Sequence, residues 1–249
     1  MSAVATKSHN RVLSVVKLHF TNPWTTITFP WIVMLTILVL TVLVWMLVLA
    51  NIADPADQAK AREGFGYSGS SGFIFVYMIV VAVQSINTMF PFAQGYGVTR
   101  RNFALGTGLY FVMLSAFYSV GLTVLSIIED ATDGWGVGGS LFSVAYFGDT
   151  PAERLFVFFA IFILFFFAGS AIAAIYLRWR AFGITTFFIA LGFALVGLVA
   201  LVTAVEGWDE VGAWFEAAGL VGSFAWSFVV SAIAALGGYL VLRRTTPKN

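Results

Sequence analysis

Long apolar blocks alternate with short polar connections along this chain. Six blocks are each 21 to 25 residues long and contain no Asp, Glu, Lys, Arg or His. They cover residues 29–52, 73–93, 104–128, 155–177, 182–205 and 220–242. A helix rises about 1.5 Å per residue, so each block can cross the hydrocarbon layer of roughly 30 Å with some tilt. The pattern predicts an all-α membrane protein with six transmembrane helices.

The charges of the connections indicate how these helices are oriented. All twelve acidic residues fall on one side of the predicted membrane, with Lys60, Arg62 and Arg154. The other side holds both termini and ten basic residues: Lys7, Arg11, Lys17, Arg100, Arg101, Arg178, Arg180, Arg243, Arg244 and Lys248. Lys and Arg beside helix ends are retained in the cytoplasm. We therefore expect both termini to be cytoplasmic, in a multi-pass protein of a bacterial cell membrane.

Composition limits the chemistry that the chain can perform. It is 60% hydrophobic and 10% charged, which is typical of a protein surrounded mostly by lipid. The absence of cysteine excludes disulfides and thiolate metal sites. Both histidines, His9 and His19, precede the first span, so the spans hold no zinc or His-based protease constellation. We expect no catalytic site, no metal and no nucleic-acid partner.

The spans also lack an energy-coupling group of their own. A proton-coupled carrier normally keeps an ionisable residue at depth, where a charge costs about 3 kcal/mol or more. None of the six blocks contains one, and the chain has no Gly-x-x-x-x-Gly-Lys-Ser/Thr phosphate loop. Any energy source is therefore expected to be external, or absent.

Residues 1–28 are predicted to form a cytoplasmic segment whose helix lies flat on the membrane. One helical face carries Val12, Val15, Val16 and Phe20, and the other carries Arg11, Ser14 and Lys17. Such a helix is held by its apolar face and by attraction of its basic residues to anionic lipid. The alternative is a disordered basic tail that only enforces orientation. Residues 29–242 then form the transmembrane domain, and 243–249 a cytoplasmic tail.

Local signals predict the structure of the outer connections. Thr150, Pro151 and Glu153 match a capping box with Pro at the first helical position. Asp54 and Pro55 predict the start of a short helix ending near residue 63, followed by a flexible glycine- and serine-rich stretch at 64–72. Before the last span, one helical face predicts a segment lying on the outer membrane interface. That face consists of Val211, Trp214, Phe215 and Ala218. The acidic residues Asp209, Glu210 and Glu216 leave a plain loop, rather than a re-entrant helical hairpin, as the alternative.

Uncharged polar residues cluster in the second span. Gln84, Asn87 and Thr88 share one helical face. Such groups either form hydrogen bonds between packed helices or line a polar translocation path. The sequence leaves both interpretations open.

The connection between the second and third spans carries the most specific motif. It contains Gly97, Thr99, Arg100, Arg101, Asn102 and Phe103, and Thr99 is placed to cap the third helix. Here the chain resembles membrane subunits of ATP-binding-cassette transporters of the ABC-2 type, also called type V exporters. In those permeases a Gly-x-Thr/Ser-Arg-Arg-x-Phe stretch follows the second span. Six spans, cytoplasmic termini, a flat N-terminal helix and the short Arg178-Trp179-Arg180 turn add to the resemblance.

The resemblance implies a permease subunit powered by a separate cytoplasmic ATPase. That partner would bind ATP and Mg, with no cofactor in this chain, and would dock on the 97–103 loop and the N-terminal helix. Phe103 is expected to fill an apolar notch on it. The permease would form a homodimer, or a heterodimer with a second permease. An uncharged path through Gln84, Asn87 and Thr88 suits export of a drug, peptide or lipid.

Two other classes of function stay open at this stage. A facilitative or secondary carrier would use broken helices and internal three-plus-three symmetry, neither of which is clear in the sequence. A non-transporting membrane scaffold or regulator would bind a partner without ATP turnover.

Overall fold

The chain forms an all-helical fold in the residues that the structure, a computed structural model, describes, which are 11–245. The predictions for Lys7, His9 and Lys248 concern residues outside this range. Seven α-helices follow one another in the described chain: α1 Arg11–His19, α2 Phe29–Ala50, α3 Pro55–Phe65, α4 Phe73–Gly95, α5 Arg100–Ala131, α6 Pro151–Ala204 and α7 Trp208–Arg243. A π-helical turn, Trp24–Thr28, precedes α2, and a 3-10 turn, Ser70–Gly72, precedes α4.

The predicted apolar blocks fall within helices, except for residues 51, 52 and 205 at the ends of two blocks. Five helical stretches among residues 11–245 are long and apolar enough to cross a membrane: Trp24–Ala50, Pro55–Gly95, Arg100–Ala131, Pro151–Ala204 and Trp208–Arg243. Blocks 155–177 and 182–205 both lie in α6, which is 54 residues long. The prediction of apolar helices long enough to cross a membrane is therefore confirmed.

Helix α6 is broken at Arg180. This residue has φ 58° and ψ −150°, which lies outside the helical region. A Cβ placed on Gly183 would lie 3.3 Å from Cγ2 of Ile175. In a continuous helix, eight residues would separate these positions by about 12 Å along the axis. The chain therefore turns back on itself at the predicted Arg178-Trp179-Arg180 turn.

Helix α7 contains a second break at Gly219, where φ is 62°. The rings of Trp214 and Trp226 lie 6.1 Å apart across it, although a continuous helix would separate these residues by about 18 Å. The segment before the last block is therefore helical, as predicted, and it also folds back on the helix that follows. The alternative of a plain loop, which Asp209, Glu210 and Glu216 left open, is therefore wrong.

The core lies between α4, α5 and α6 and is rich in phenylalanine. Phe111 stacks on Phe166 at 4.9 Å, and Phe75 packs against Phe162 at 4.9 Å. Gly169 allows α6 to approach α4 closely, since a Cβ there would lie 3.0 Å from the carbonyl oxygen of Ile79. In contrast, α6 has no buried residue after Ala174 among the described side chains. One half of α6 therefore belongs to the core, and the other half is exposed.

The predicted helix starts at Asp54 and Thr150 are confirmed. The Asp54 carboxylate accepts a hydrogen bond from the backbone N–H of Ala56 at 2.8 Å, and Thr150 and Glu153 form the capping box. Helix α3 ends at Phe65, whose ring stacks on Trp45 at 5.2 Å. The stretch 64–72, which its composition predicts to be flexible, therefore begins inside a packed helix.

Candidate functional site

The turn between α4 and α5 is a compact, fully hydrogen-bonded structure. The N–H of Val98 donates to the carbonyl of Ala93 at 3.1 Å, and that of Gly97 donates to the carbonyl of Gln94 at 3.0 Å. This is the Schellman pattern, which places its C′ residue in the left-handed region. Gly97 has φ 72°, so the turn requires glycine at this position. The glycine of the motif therefore has a structural cause within this chain.

Thr99 begins α5 directly after this turn, as predicted. Its hydroxyl accepts a hydrogen bond from the backbone N–H of Asn102 at 3.2 Å, which satisfies one of the free donors of the helix start. The two arginines and Asn102 are thereby held in the first turn of a capped helix. The loop presents its side chains from a fixed backbone.

The two arginines of the motif have different surroundings. Arg100 is half-buried, and its guanidinium donates a hydrogen bond to the backbone carbonyl of Arg243 at the end of α7. A cation at a helix C-terminus also interacts favourably with the helix dipole. Arg101 is exposed. Arg100 therefore connects the start of α5 to the end of α7, while Arg101 remains accessible to another molecule.

Phe103 does not face a partner, which corrects the expectation that it would fill a notch on an ATPase. It is fully buried, with its ring 5.2 Å from Phe90 and 6.0 Å from His19. The reason is its position in α5, where it lies one helical turn after Thr99 and points toward α4 and α1. Its ring holds the turn to the rest of the bundle.

Helix α1 packs on the first turns of α5. Val15 and Val16 of the predicted apolar face are buried, and Val12 and Phe20 are half-buried. A Cβ on Gly106 would lie 2.6 Å from the Cβ of Val15, so the glycine permits this contact. The helix is therefore present as predicted, but its apolar face rests on protein. Arg11 and Lys17 are exposed on the opposite side.

His19 is a contact residue that the sequence pattern did not assign to this junction. It is buried, its Nε2 lies 2.9 Å from the Thr107 hydroxyl, and its ring stacks on Tyr110 at 4.6 Å. Its position one turn after Val15 and Val16 was the available signal. The partner, 88 residues away in the chain, could not be identified from a single sequence.

The polar face of α4 points away from the core of this chain. Gln84 and Thr88 are exposed, and Asn87 is half-buried. The amide oxygen of Asn87 is buried without a hydrogen-bond partner among residues 11–245. Hydrogen bonding between packed helices of one chain therefore does not explain Asn87. The face is available to a second protein chain or to a polar path.

The opposite end of the bundle is closed by a carboxylate that the sequence did not single out. Glu129 is fully buried, and its oxygens accept hydrogen bonds from the backbone N–H groups of Leu141, Phe142 and Ser143 at 2.8 to 3.0 Å. The Trp135 indole donates to it at 2.7 Å. Leu141 and Phe142 are buried in the core. Glu129 therefore holds the α5–α6 connection as a cap on this end of the bundle.

A buried arginine strengthens the same cap. Arg154 forms an ion pair with Asp130 and donates from Nε to the Gly148 carbonyl at 2.9 Å. Asp130 follows Glu129 directly, so both acidic residues at the end of α5 bind the connection. This basic residue, which the charge sorting placed on the acidic side, has a structural role there.

No family model matches this chain, and neither a curated protein nor a solved structure does. The absence of a catalytic site and the location of ATP and Mg on a partner ATPase therefore stay predictions.

Proposed function

We propose that this chain is the permease subunit of an ABC-2 type transporter that exports a hydrophobic or amphipathic cargo. The observation that carries the proposal is the unit formed by α1, the α4–α5 turn and the start of α5. These elements pack together through Val15, His19 and Phe103 and leave Arg101 exposed. A rigid basic surface at one end of a helical bundle is suited to receive force from a separate motor protein.

In this proposal the chain crosses the cell membrane six times, with both termini in the cytoplasm. The length of α6 supports this count, because 54 residues of helix would extend about 80 Å, more than twice the hydrocarbon thickness. The break at Arg180 divides it into two stretches of membrane-spanning length. The basic residues Arg178 and Arg180 at this turn support its cytoplasmic location.

The ATPase would dock on the exposed basic groups of this surface. Arg11, Lys17 and Arg101 are exposed and would pair with acidic side chains of the ATPase. Arg100 would transmit the movement, since its bond to the Arg243 carbonyl joins α5 to α7. Closure of the ATPase on ATP would then rock these helices as one body and switch access to the path.

The path itself requires a second permease, either another copy or a related chain. Gln84 and Thr88 lie on the outside of the single bundle, where lipid is a poor environment for polar groups. The second half of α6 is also exposed. A partner permease that covers the polar face of α4 would enclose an uncharged path, and such a path suits a drug, a peptide or a lipid.

Co-purification from the native membrane tests the proposal. We expect the tagged chain to retain a stoichiometric nucleotide-binding ATPase and to show ATP hydrolysis. Arg101→Glu should reduce ATPase retention at least tenfold. Arg178→Glu is the matched control. It reverses the charge of an exposed arginine outside the unit formed by α1, the α4–α5 turn and the start of α5, so the ATPase should be retained. A clean preparation without ATPase, repeated after crosslinking, would contradict the proposal and favour a carrier or a scaffold.

A further inference from the structure

A groove of about 460 Å³ runs between α5 and α7, with residues of α6 also lining it. Its walls are mainly aliphatic and aromatic, and include Leu105, Leu109, Val112, Leu236 and Tyr239. Arg101 is the charged residue of the lining, and it lies at the end where α5 begins. The groove is thus mainly apolar, with the guanidinium of Arg101 at one end.

The groove exists because α5 and α7 both pack on α6. Phe111 of α5 stacks on Phe166 at 4.9 Å, and a Cβ on Gly238 of α7 would lie 3.3 Å from the Cα of Ala171. Between these contacts Gly108 leaves space, since a Cβ there would meet its nearest neighbour, the Phe167 ring, at 3.8 Å. Side-chain size at Gly108 therefore controls the width of the groove.

The dimensions of the groove match one leaflet of a bilayer. Arg101 and Val112 are eleven residues apart on α5, which corresponds to about 16 Å, or half of the roughly 30 Å hydrocarbon layer. Leu105 is 52% exposed and Leu236 is 63% exposed, so the groove is open along its side. An acyl chain could enter it from the surrounding lipid without any movement of the helices.

The cation end of the groove carries a positive charge that acidic side chains do not balance. Arg243 and Arg244 are exposed directly after Leu242, which lines the groove, and the Arg100 guanidinium bonds to the Arg243 carbonyl. The ion pairs within residues 11–245 are Lys60–Asp57 and Arg154–Asp130, at the other end of the bundle. An anion is therefore favoured at the Arg101 end.

We propose that this groove binds one anionic phospholipid, with an acyl chain between α5 and α7 and the phosphate at Arg101. A membrane phospholipid has both required parts, an apolar chain of one-leaflet length and a negative group at its end. Basic side chains near a membrane surface each favour anionic lipid by roughly fivefold in binding. The proposal concerns the chain without its ATPase, in which Arg101 binds the phosphate; on docking, acidic side chains of the ATPase would replace the phosphate at Arg101.

Fluorescence quenching by brominated lipid tests this site. The chain has no cysteine, so Leu236→Cys at the rim of the groove provides a single labelling position. The labelled protein is placed in phosphatidylcholine vesicles that contain a small fraction of brominated phosphatidylglycerol or brominated phosphatidylcholine. We expect half-maximal quenching at an approximately fivefold lower fraction of the phosphatidylglycerol.

Substitutions decide whether the preference comes from this site. Arg101→Gln should make the two lipids equivalent, Arg101→Lys should retain the preference, and Arg178→Gln should leave it unchanged. Gly108→Leu should fill the groove and remove the quenching that occurs at a low fraction of brominated phosphatidylglycerol. Equal quenching by both lipids in the unsubstituted protein would overturn the proposal. So would an equal loss of preference in Arg101→Gln and Arg178→Gln, because that result indicates general surface attraction.

Discussion

His19 joins α1 to α5 through a buried, uncharged contact. Its neighbours on α5 are Phe103, Thr107 and Tyr110, none of which carries a charge near neutral pH. Burial lowers the pKa of His19 from 6.5 to about 4. The imidazole is therefore neutral when α1 is docked at physiological pH, and protonation is unfavourable in the docked state.

We predict that docking of α1 weakens as the pH falls from 6.5 to 4. Undocked, solvated His19 titrates near 6.5, so the undocked state binds more protons within this window. The contribution of neutral His19 to the docking of α1 is fully present above pH 6.5 and is lost progressively as the pH falls to 4. The pKa shift corresponds to about 3 kcal/mol. Spin labels on Leu13→Cys and Val124→Cys would measure the separation of α1 from the far part of α5.

Histidine variants separate this effect from general acid denaturation. His19→Gln retains a hydrogen-bonding group toward Thr107 but does not titrate, so the label distance should become independent of pH in this window. His9→Gln, at the chain's other histidine, should leave the response unchanged. A response that survives His19→Gln would show that another group titrates.

Glu129 gives a second prediction at the scale of one residue. Glu129→Ala should lower the stability of the bundle by about 2 to 4 kcal/mol, because buried N–H groups of residues 141–143 would lose their acceptor. Thermal unfolding in detergent would measure the change. Asp149→Ala, at an exposed acidic residue of the same connection, is the control and should change stability by less than about 0.5 kcal/mol. A similar loss in both variants would contradict the role of Glu129.

Single residues show where sequence reasoning reached its limit. The apolar face of Val15 and Val16 could be predicted, because apolar residues repeat at helical spacing within α1, but its burial against α5 rather than in lipid could not. His19 and Glu129 could not be assigned, because their partners are supplied by distant or irregular segments. For Glu129 three of these partners are backbone N–H groups, of residues 141–143. Every sequence contains such groups, and only a particular loop conformation directs three of them at one carboxylate.

The contact between α1 and α5 also yields a prediction at the scale of helices. Gly106→Leu should displace α1, because a Cβ at this position would lie 2.6 Å from the Cβ of Val15 and 2.8 Å from the carbonyl oxygen of Val12. Lys17 is exposed on α1, and trypsin cleaves there only when the helix opens. Cleavage after Lys17 should therefore accelerate at least tenfold.

A neighbouring glycine provides the control for this experiment. Gly108→Ala adds a Cβ at ordinary contact distance from Phe167, on the side of α5 that faces the groove. It should leave the cleavage rate at Lys17 unchanged. Equal rates in Gly106→Leu and the unsubstituted protein would mean that α1 does not depend on this close approach.

The helices themselves were the most predictable part of the molecule. A membrane-spanning helix needs about twenty apolar residues, and that requirement leaves a strong pattern in the sequence. Caps at Asp54, Thr99 and Thr150 are local in sequence and were also predictable. The fold-back at Gly219 was not, because the contact of Trp214 with Trp226 is a tertiary interaction. Asp209, Glu210 and Glu216 left a plain loop open as an alternative, although they are compatible with the exposed side of a helix.

At the scale of the whole molecule, the single chain leaves polar residues on its outer surface. Gln84 and Thr88 are exposed on α4, beside Asn87 with its unpaired amide oxygen. In a membrane, groups of this kind are usually directed at another helix or at a water-filled space. In the proposed transporter a second permease would cover this face and complete the path. Substitutions on the face should then change transport without lowering the stability of the single chain.

The double substitution Gln84→Leu with Asn87→Leu tests this separation. The stability of the isolated chain should be unchanged or higher, because the Asn87 oxygen has no partner to lose within residues 11–245. Thr107→Val is the contrast, since it removes the 2.9 Å contact with His19 and should cost about 1 kcal/mol. Thermal unfolding of the purified chain measures both. Cargo selectivity in native membranes should change for the double variant alone, whereas lower stability with unchanged selectivity would indicate that this face only packs.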